Sequence, residues 1–254
     1  MARTRAQDYD TKRLAILHKS AELFAQFGYS GTSITMIADA CGVSKALLYH
    51  YYPDKEALLF DIISDHLDAL IQVVEEAASG ASDPQERLFA ISAGLLEAYR
   101  DADSQHQIQI ANLKLLPQEK QDVLRELERV LVRLFSDALA EAVPQVGRGP
   151  MLKPLTMSLF GMLNWHYLWF REGKGLSRTE YARLVTTLLQ AGAHEAVAVV
   201  GTAAPAETAG KTAVAEAKTE TNVARTAIEP APVSSPAKPR KRAAARPRKV
   251  ASGD

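Results

Sequence analysis

Ser33 to Leu58, reading SITMIADACGVSKALLYHYYPDKEAL, constrains the fold more than any other stretch of this chain. Ser33, or Thr32 beside it, can cap a short helix. Ile34, Ile37, Ala38 and Cys41 recur at helical spacing and form one buried face. Gly42 follows, where a positive φ must stop the first helix and start the next. Ser44 stands at the cap of a second helix, on which Leu47, Leu48 and Tyr51 point inward. Lys45, Ala46, Tyr49 and His50 fall on the other side. That face holds a cation, a phenol and an imidazole but no acid, a set suited to phosphates and base edges in a major groove.

The flanking segments extend this layout. A first helix over 11–27 buries Leu14, Leu17, Ala21, Phe24 and Ala25 and ends at Gly28. The third helix stops before Pro53. Asp54 caps a long fourth helix that reaches Ala78 and joins this head to the rest. After the loop SGASDP, with Asp83 as cap and Pro84 at the first helical position, the pattern stays helical. The expected helices are 84–100, 104–116, 118–143, 151–171 and 177–200. No sustained apolar/polar alternation predicts a strand. The fold class is therefore all-α, with nine helices. Residues 1–56 form a helix-turn-helix domain, 57–200 a second helical domain, and 201–254 a disordered basic tail rich in Ala, Pro and Lys.

The tail differs in charge as well as composition. From Gly201 on, ten Lys and Arg stand against five Asp and Glu. The first 200 residues carry twenty basic against twenty-five acidic groups, so a net charge of +0 conceals opposite halves. Aromatic residues vanish in the tail, which lacks the apolar area to offset an ordering entropy of about 1–2 kcal/mol per residue. The basic run within Pro236–Val250 has two readings, a solvated segment or a non-specific attachment to DNA phosphates. No run of about 18 apolar residues predicts a membrane span. The start, MARTRAQDYDTKR, lacks an apolar secretory segment. A single cysteine, Cys41, excludes an internal disulfide framework and reads as a small core residue. These features predict a cytoplasmic, nucleoid-associated protein with no membrane partner.

No His, Cys and Asp cluster has metal-ligand spacing, and no phosphate-cradling glycine loop or nucleophile elbow occurs. The expectation is no catalytic residue, no metal and no cofactor. The second informative stretch is MSLFGMLNWHYLWFREG, Met157 to Gly173. It holds both tryptophans, Trp165 and Trp169, four residues apart and so on one face of a continuous helix. With Met162, Asn164, His166 and Phe170 they make either a core and dimer stripe or the wall of an apolar effector pocket. His166 alone reads equally as a core histidine satisfied by backbone. Tyr181, Leu184, Val185, Leu188, Leu189 and Gly192 offer a dimer stripe on the last helix.

The run from Lys12 to Leu58 resembles the N-terminal domain of TetR/AcrR-type transcriptional regulators. The resemblance rests on AELFAQFGYSGTS, on Gly-Val-Ser at the turn, on Leu-Tyr-His-Tyr and on Lys-Glu-Ala-Leu, in matching order and spacing. It implies that Ser33, Thr35, Ser44, Lys45, Ala46, Leu47, Tyr49, His50, Tyr51 and Lys55 contact an operator in double-stranded DNA. Leu47 and Tyr51 retain a second reading as core. The resemblance also implies a homodimer in which the last two helices pair with their symmetry mates. FGMLNWHYLWFREGKGLS is similar to the penultimate helix of members that sense acyl-CoA thioesters in fatty-acid, steroid or phenylacetate breakdown. The implied function is a repressor released from its operator by an acyl-CoA, phenylacetyl-CoA being one candidate. Met162, Asn164, Trp165, His166, Trp169 and Phe170 would bind the effector, with Arg100, Lys114, Arg171 or Lys174 meeting its phosphates. The alternatives are a sensor of another hydrophobic or aromatic compound, and a non-specific nucleoid-type protein acting through its tail.

Overall fold

The computed structural model describes residues 2–201, with backbone alone at residues 2–8, 194 and 201. The helices are α1 (Ala2–Phe27), α2 (Ile34–Cys41), α3 (Lys45–Tyr51), α4 (Lys55–Ser79), α5 (Pro84–Ala98), α6 (Asp103–Asn112), α7 (Gln118–Ala142), α8 (Leu152–Asn164), α9 (His166–Trp169) and α10 (Arg178–Gly201). A 3-10 turn, Leu113–Leu115, extends α6. No strand occurs among the described residues. The tail beyond Gly201, with its expected disorder and its basic run, lies outside them.

Local chemistry sets the boundaries of the head. Ser33, Ser44 and Asp54 each accept a hydrogen bond from the backbone N–H three residues on, at Met36, Leu47 and Ala57. Each satisfies one of the amides a helix start leaves bare. Gly42 has φ 64°. Its N–H donates to the Asp39 carbonyl, and the next N–H, of Val43, reaches back to Ala38. Those two bonds form a Schellman motif, which needs the left-handed conformation only glycine adopts cheaply. Asp83 caps α5 in the same way, through the N–H of Glu86, with Pro84 opening the helix.

Two apolar clusters share α4. One joins Ile16, Leu17, Ala21, Phe24, Ile37, Ala38 and Leu48 to the first half of α4 and continues into Ile108, Leu113 and Leu124. The other packs the second half of α4 against α5, α7, α8 and α10 around Leu95, Phe135, Leu139 and Leu163. A side chain on Gly94 would press on Val73 and Ala77, so glycine lets α5 lie close against α4. Arg13 ties α1 to α4 by donating to Asp61 at 2.8 Å and to Asp65 at 2.9 Å.

Three expectations need correction. Leu14 and Ala25 are exposed, while Ile16 and Ser20 take the buried positions. α1 begins at Ala2 rather than residue 11. The expected helix 151–171 breaks at Trp165, so the eighth of the nine expected helices comes in two pieces, α8 and the single turn α9. The break has an identifiable cause. The Asn164 carbonyl accepts from His106 Nε2 at 3.2 Å, and the Leu168 N–H, its helical partner by position, turns to the Trp165 carbonyl instead. A side chain inserted into the i to i−4 ladder is a standard origin of a helix break.

Candidate nucleic-acid interface and effector cavity

The polar face of α3 stands clear of the protein. Ser44, Lys45, Ala46, Tyr49 and His50 are exposed, and Leu48, between them in sequence, is fully buried. α3 is thereby fixed by its inner edge while its outer face is free. Ser33 is exposed and Thr35 half-buried on α2. Both serines spend their oxygens as caps, which leaves each hydroxyl proton available to a phosphate.

Three members of the expected set are placed differently. Leu47 and Tyr51 are half-buried and line a recess of about 220 Å³ in the head, shared with Cys41 and Val43. Tyr51 stacks on Tyr9 of α1, ring centroids 4.6 Å apart. That pairing joins the start of the chain to α3, and no local pattern announces it. The Lys55 ammonium is engaged inside the head. It donates to the carbonyls of Tyr29 and Thr32, each at 2.8 Å, and lies over the Tyr29 ring. Two of its three donors therefore pin the α1–α2 loop rather than face DNA. Cys41 is half-buried, and burial pushes its thiol up from its ordinary pKa, so it is a poor nucleophile.

In the body the six expected effector residues separate. The break at Trp165 carries the two tryptophans off one helical face, and each is about half exposed. Trp165 stacks on Tyr167, and Trp169 packs edge-on against Tyr181 of α10. Met162 packs on the body core, its carbonyl accepting from the Tyr181 hydroxyl. Asn164 Oδ1 accepts from the Tyr99 hydroxyl at 3.0 Å, inside an aromatic cluster with His66, His106 and Tyr167. His166 and Phe170 line a cavity.

That cavity, of about 240 Å³, lies where α6, α9 and the start of α10 meet. Tyr167, Arg171 and Arg178 complete it, with Asp103 and Glu172 at its wall. Arg178 stacks over the Phe170 ring and pairs with Glu172. Its Nε–H is buried without a partner, as is Nε2 of His166, which is 2% exposed. Burial, and then the Arg178 charge, hold the His166 pKa down to about 4. At neutral pH the site thus presents a neutral imidazole, an unpaired guanidinium donor and the nearby Arg171, a set matched to oxygen acceptors on a ligand. Of the cations named as phosphate partners, Arg171 is here, and Arg100 is linked to it through Glu172 at 3.8 Å. Lys114 and Lys174 line no part of it. Arg178 was missed because its sequence neighbours carry no motif.

Two solvent-facing apolar stripes run along α8 and α10. Met157, Leu184 and Leu188 are 49%, 42% and 57% exposed. Gly161 and Gly192 lie on the same helices with open space where a side chain would stand. Val185 and Leu189, expected on this outer face, are buried in the body instead. Among the described residues no group of acidic, His and Cys side chains can hold a metal ion, and no helix is long and apolar enough to cross a membrane.

Comparison with known proteins gives consistent matches to both parts. Residues 16–62 match the model of bacterial regulatory proteins of the tetR family. Residues 81–193 match a tetracyclin repressor-like C-terminal domain. A TetR-family transcriptional regulator from Bordetella parapertussis 12822 is 33% identical, with 70% of this chain and 93% of that one covered and a TM-score of 0.66. AibR, solved in complex with isovaleryl coenzyme A and operator DNA, is 28% identical over 70% of this chain and 98% of its own, with a TM-score of 0.62. The HTH-type transcriptional repressor KstR2 of Mycolicibacterium smegmatis is 25% identical over 187 residues, 72% of this chain and 90% of that protein.

Proposed function

The chain belongs to the TetR family of bacterial regulatory proteins, a DNA-binding transcriptional regulator and not an enzyme, and from that premise we propose that it is a homodimeric repressor released from its operator by an acyl-CoA thioester. The division of labour follows the helix-turn-helix head, about residues 1–56, and the helical body, 57–200. Ser33, Thr35, Ser44, Lys45, Ala46, Tyr49 and His50 meet the operator. Lys45 suits guanine O6 and N7, Ala46 a thymine methyl, and Tyr49 and the serines the phosphates. Leu47, Tyr51 and Lys55 hold the reading head in shape.

One observation carries the effector reading. The cavity between α6, α9 and α10 holds buried, partnerless nitrogens on Arg178 and His166 next to Arg171. A thioester carbonyl and the phosphates of CoA are the acceptors such donors lack. The relative AibR was solved with isovaleryl coenzyme A, which supports the same class. His166 and Phe170 keep their expected role, and Tyr167, Arg171 and Arg178 replace Met162, Asn164, Trp165 and Trp169. Release requires the thioester to bind the DNA-incompetent state more tightly than the DNA-bound one.

The stripes of Met157, Leu184 and Leu188 supply the dimer seam, since each is about half exposed in the single chain. Leu188→Glu places a carboxylate in that seam and should give monomers by sedimentation. A wild-type protein that is monomeric at micromolar concentration removes the two-half-site reading. A panel of CoA thioesters, isovaleryl to phenylacetyl, assayed for operator release decides the effector. Arg178→Ala should abolish the response and leave operator affinity intact. If uncharged aromatic compounds release the operator and no thioester does, the effector is of the hydrophobic class.

A further inference from the structure

An open cleft of about 320 Å³ lies on the other side of α6, between α6, α1 and α4. Leu14, Leu17, Ile62 and Ala69 make its sides, and His66 and Gln105 supply polar groups. The exposure of Leu14, anomalous for an apolar residue on a packed helix, is explained by its place on this rim. His66 is only 6% exposed, and its Nε2 is buried with no hydrogen-bond partner. The Gln105 Oε1 is buried and unpartnered too, while its amide nitrogen reaches His18 Nδ1 at 3.3 Å. An unpaired buried polar group costs about 1–3 kcal/mol, and here two such groups belong to side chains that line one apolar cleft.

We propose that this cleft is a second ligand site, taking a small neutral hydroxylated ring such as a phenol or an alicyclic alcohol. The apolar sides select the ring. A hydroxyl is selected because it both donates and accepts, and so satisfies the imidazole in either tautomer and the amide in either orientation. Charged ligands fit less well. Asp65 lines the cleft and repels an anion, yet its carboxylate is already paired with Arg13, which opposes a cation. Burial keeps His66 neutral, its pKa down to about 3, so it offers no counter-charge to an anion near pH 7. The layer of Tyr99 and His106 lies between His66 and Tyr167, so this site and the Arg178 cavity are separate. Its sides join the head to the body, so a second small molecule held here touches Leu14 and Leu17 of α1 directly.

The test uses phenol and toluene, which match in size and differ in the hydroxyl. In the full-length protein, phenol titration should shift the His66 ring resonances. Calorimetry should show phenol binding at least about tenfold more tightly than toluene, the worth of one hydrogen bond to an unpaired buried group. Ala69→Trp fills the cleft from its exposed rim and should abolish binding of both. His66→Phe should narrow the preference for phenol over toluene, and His66→Phe with Gln105→Leu should remove it. Arg178→Ala should leave phenol binding unchanged. The proposal is overturned if phenol shows no binding at millimolar concentrations, if it binds no better than toluene, if Ala69→Trp binds it normally, or if Arg178→Ala removes it.

Discussion

The outer face of α3 and the interior of the body around α6 both gather polar side chains, but in opposite settings. On α3, Lys45, Tyr49 and His50 lie in water, backed by the fully buried Leu48. Water satisfies each until a phosphate or base edge replaces it, so such a surface costs folding almost nothing. Around α6, His66, His106 and Tyr99 are no more than 6% exposed. His106 Nε2 has the Asn164 carbonyl, and Tyr99 has Asn164 Oδ1, but His106 Nδ1 and His66 Nε2 have no partner among the described residues. The layer around α6 therefore carries a polar cost that the outer face of α3 avoids. A polar face open to water is complete in the free chain, whereas a dry interior keeps its unpaired groups.

The largest effect that follows is one of pH. Burial lowers the pKa of His66 to about 3, with His106 adding to it, and that of His106 to about 4. In the unfolded chain both titrate near the ordinary value of about 6.5. Between those limits the unfolded chain binds more protons than the native one, so stability is full above about pH 6.5 and falls as pH is lowered toward the native values. At pH 5 each group should have removed about 2 kcal/mol. Urea unfolding at pH 7.5, 6 and 5 measures the loss. His66→Gln should remove about a third of the dependence, since His166, held down to about 4 by burial, adds a share like that of His106. A flat profile over that range would erase the contrast between wet face and dry interior.

A second, smaller pair of effects separates two residues of the head. Tyr49→Ala should weaken operator binding about tenfold with the salt slope and the unfolding midpoint unchanged, since a neutral phenol releases no counterion. Lys55→Ala should act the other way round, destabilising the protein by about 1–2 kcal/mol because the Tyr29 and Thr32 carbonyls lose a charged donor. Its operator affinity should fall only as far as the α1–α2 loop loosens. Equal loss of affinity in both variants with unchanged stability would put Lys55 on the DNA after all.

Much of the head was legible because its determinants are local. Ser33, Ser44, Asp54 and Asp83 cap through bonds spanning three residues, and Gly42 must be left-handed whatever surrounds it. The same kind of signal gave the order and approximate ends of α4 to α7 and of α10. The effector region was not legible, because its decisive contacts cross the chain. His106 meets Asn164 and Tyr99 meets Asn164 at separations of 58 and 65 residues. Those contacts break the helix that would have put Trp165 and Trp169 on one face. Apolar spacing showed which of 181–192 could be buried, but not that Val185 and Leu189 turn inward while Leu184 and Leu188 turn out.

The smallest effect concerns the break itself. If His106 interrupts the helix by taking the Asn164 carbonyl, His106→Phe should let it heal. The freed carbonyl would otherwise be stranded in a buried setting, at a cost of about 1–3 kcal/mol. The Leu168 N–H, now held by Trp165 at 3.2 Å, is the donor positioned by sequence to relieve it. Amide hydrogen exchange at Leu168 should then slow by about five- to tenfold, as the N–H trades its bond within a single turn for one in a continuous helical ladder, a gain of about 1 kcal/mol or slightly more. Global stability should change little, since the variant removes the unpaired His106 Nδ1 while it loses one hydrogen bond. Healing would also rotate residues 165–169 toward the continuous helical face expected from their spacing, drawing Tyr167 and His166 out of the Arg178 cavity. Operator affinity should therefore hold while the thioester response fails. Unchanged exchange at Leu168 would mean that the break is set by packing of Trp165 and Trp169, and that the His106 bond is its consequence.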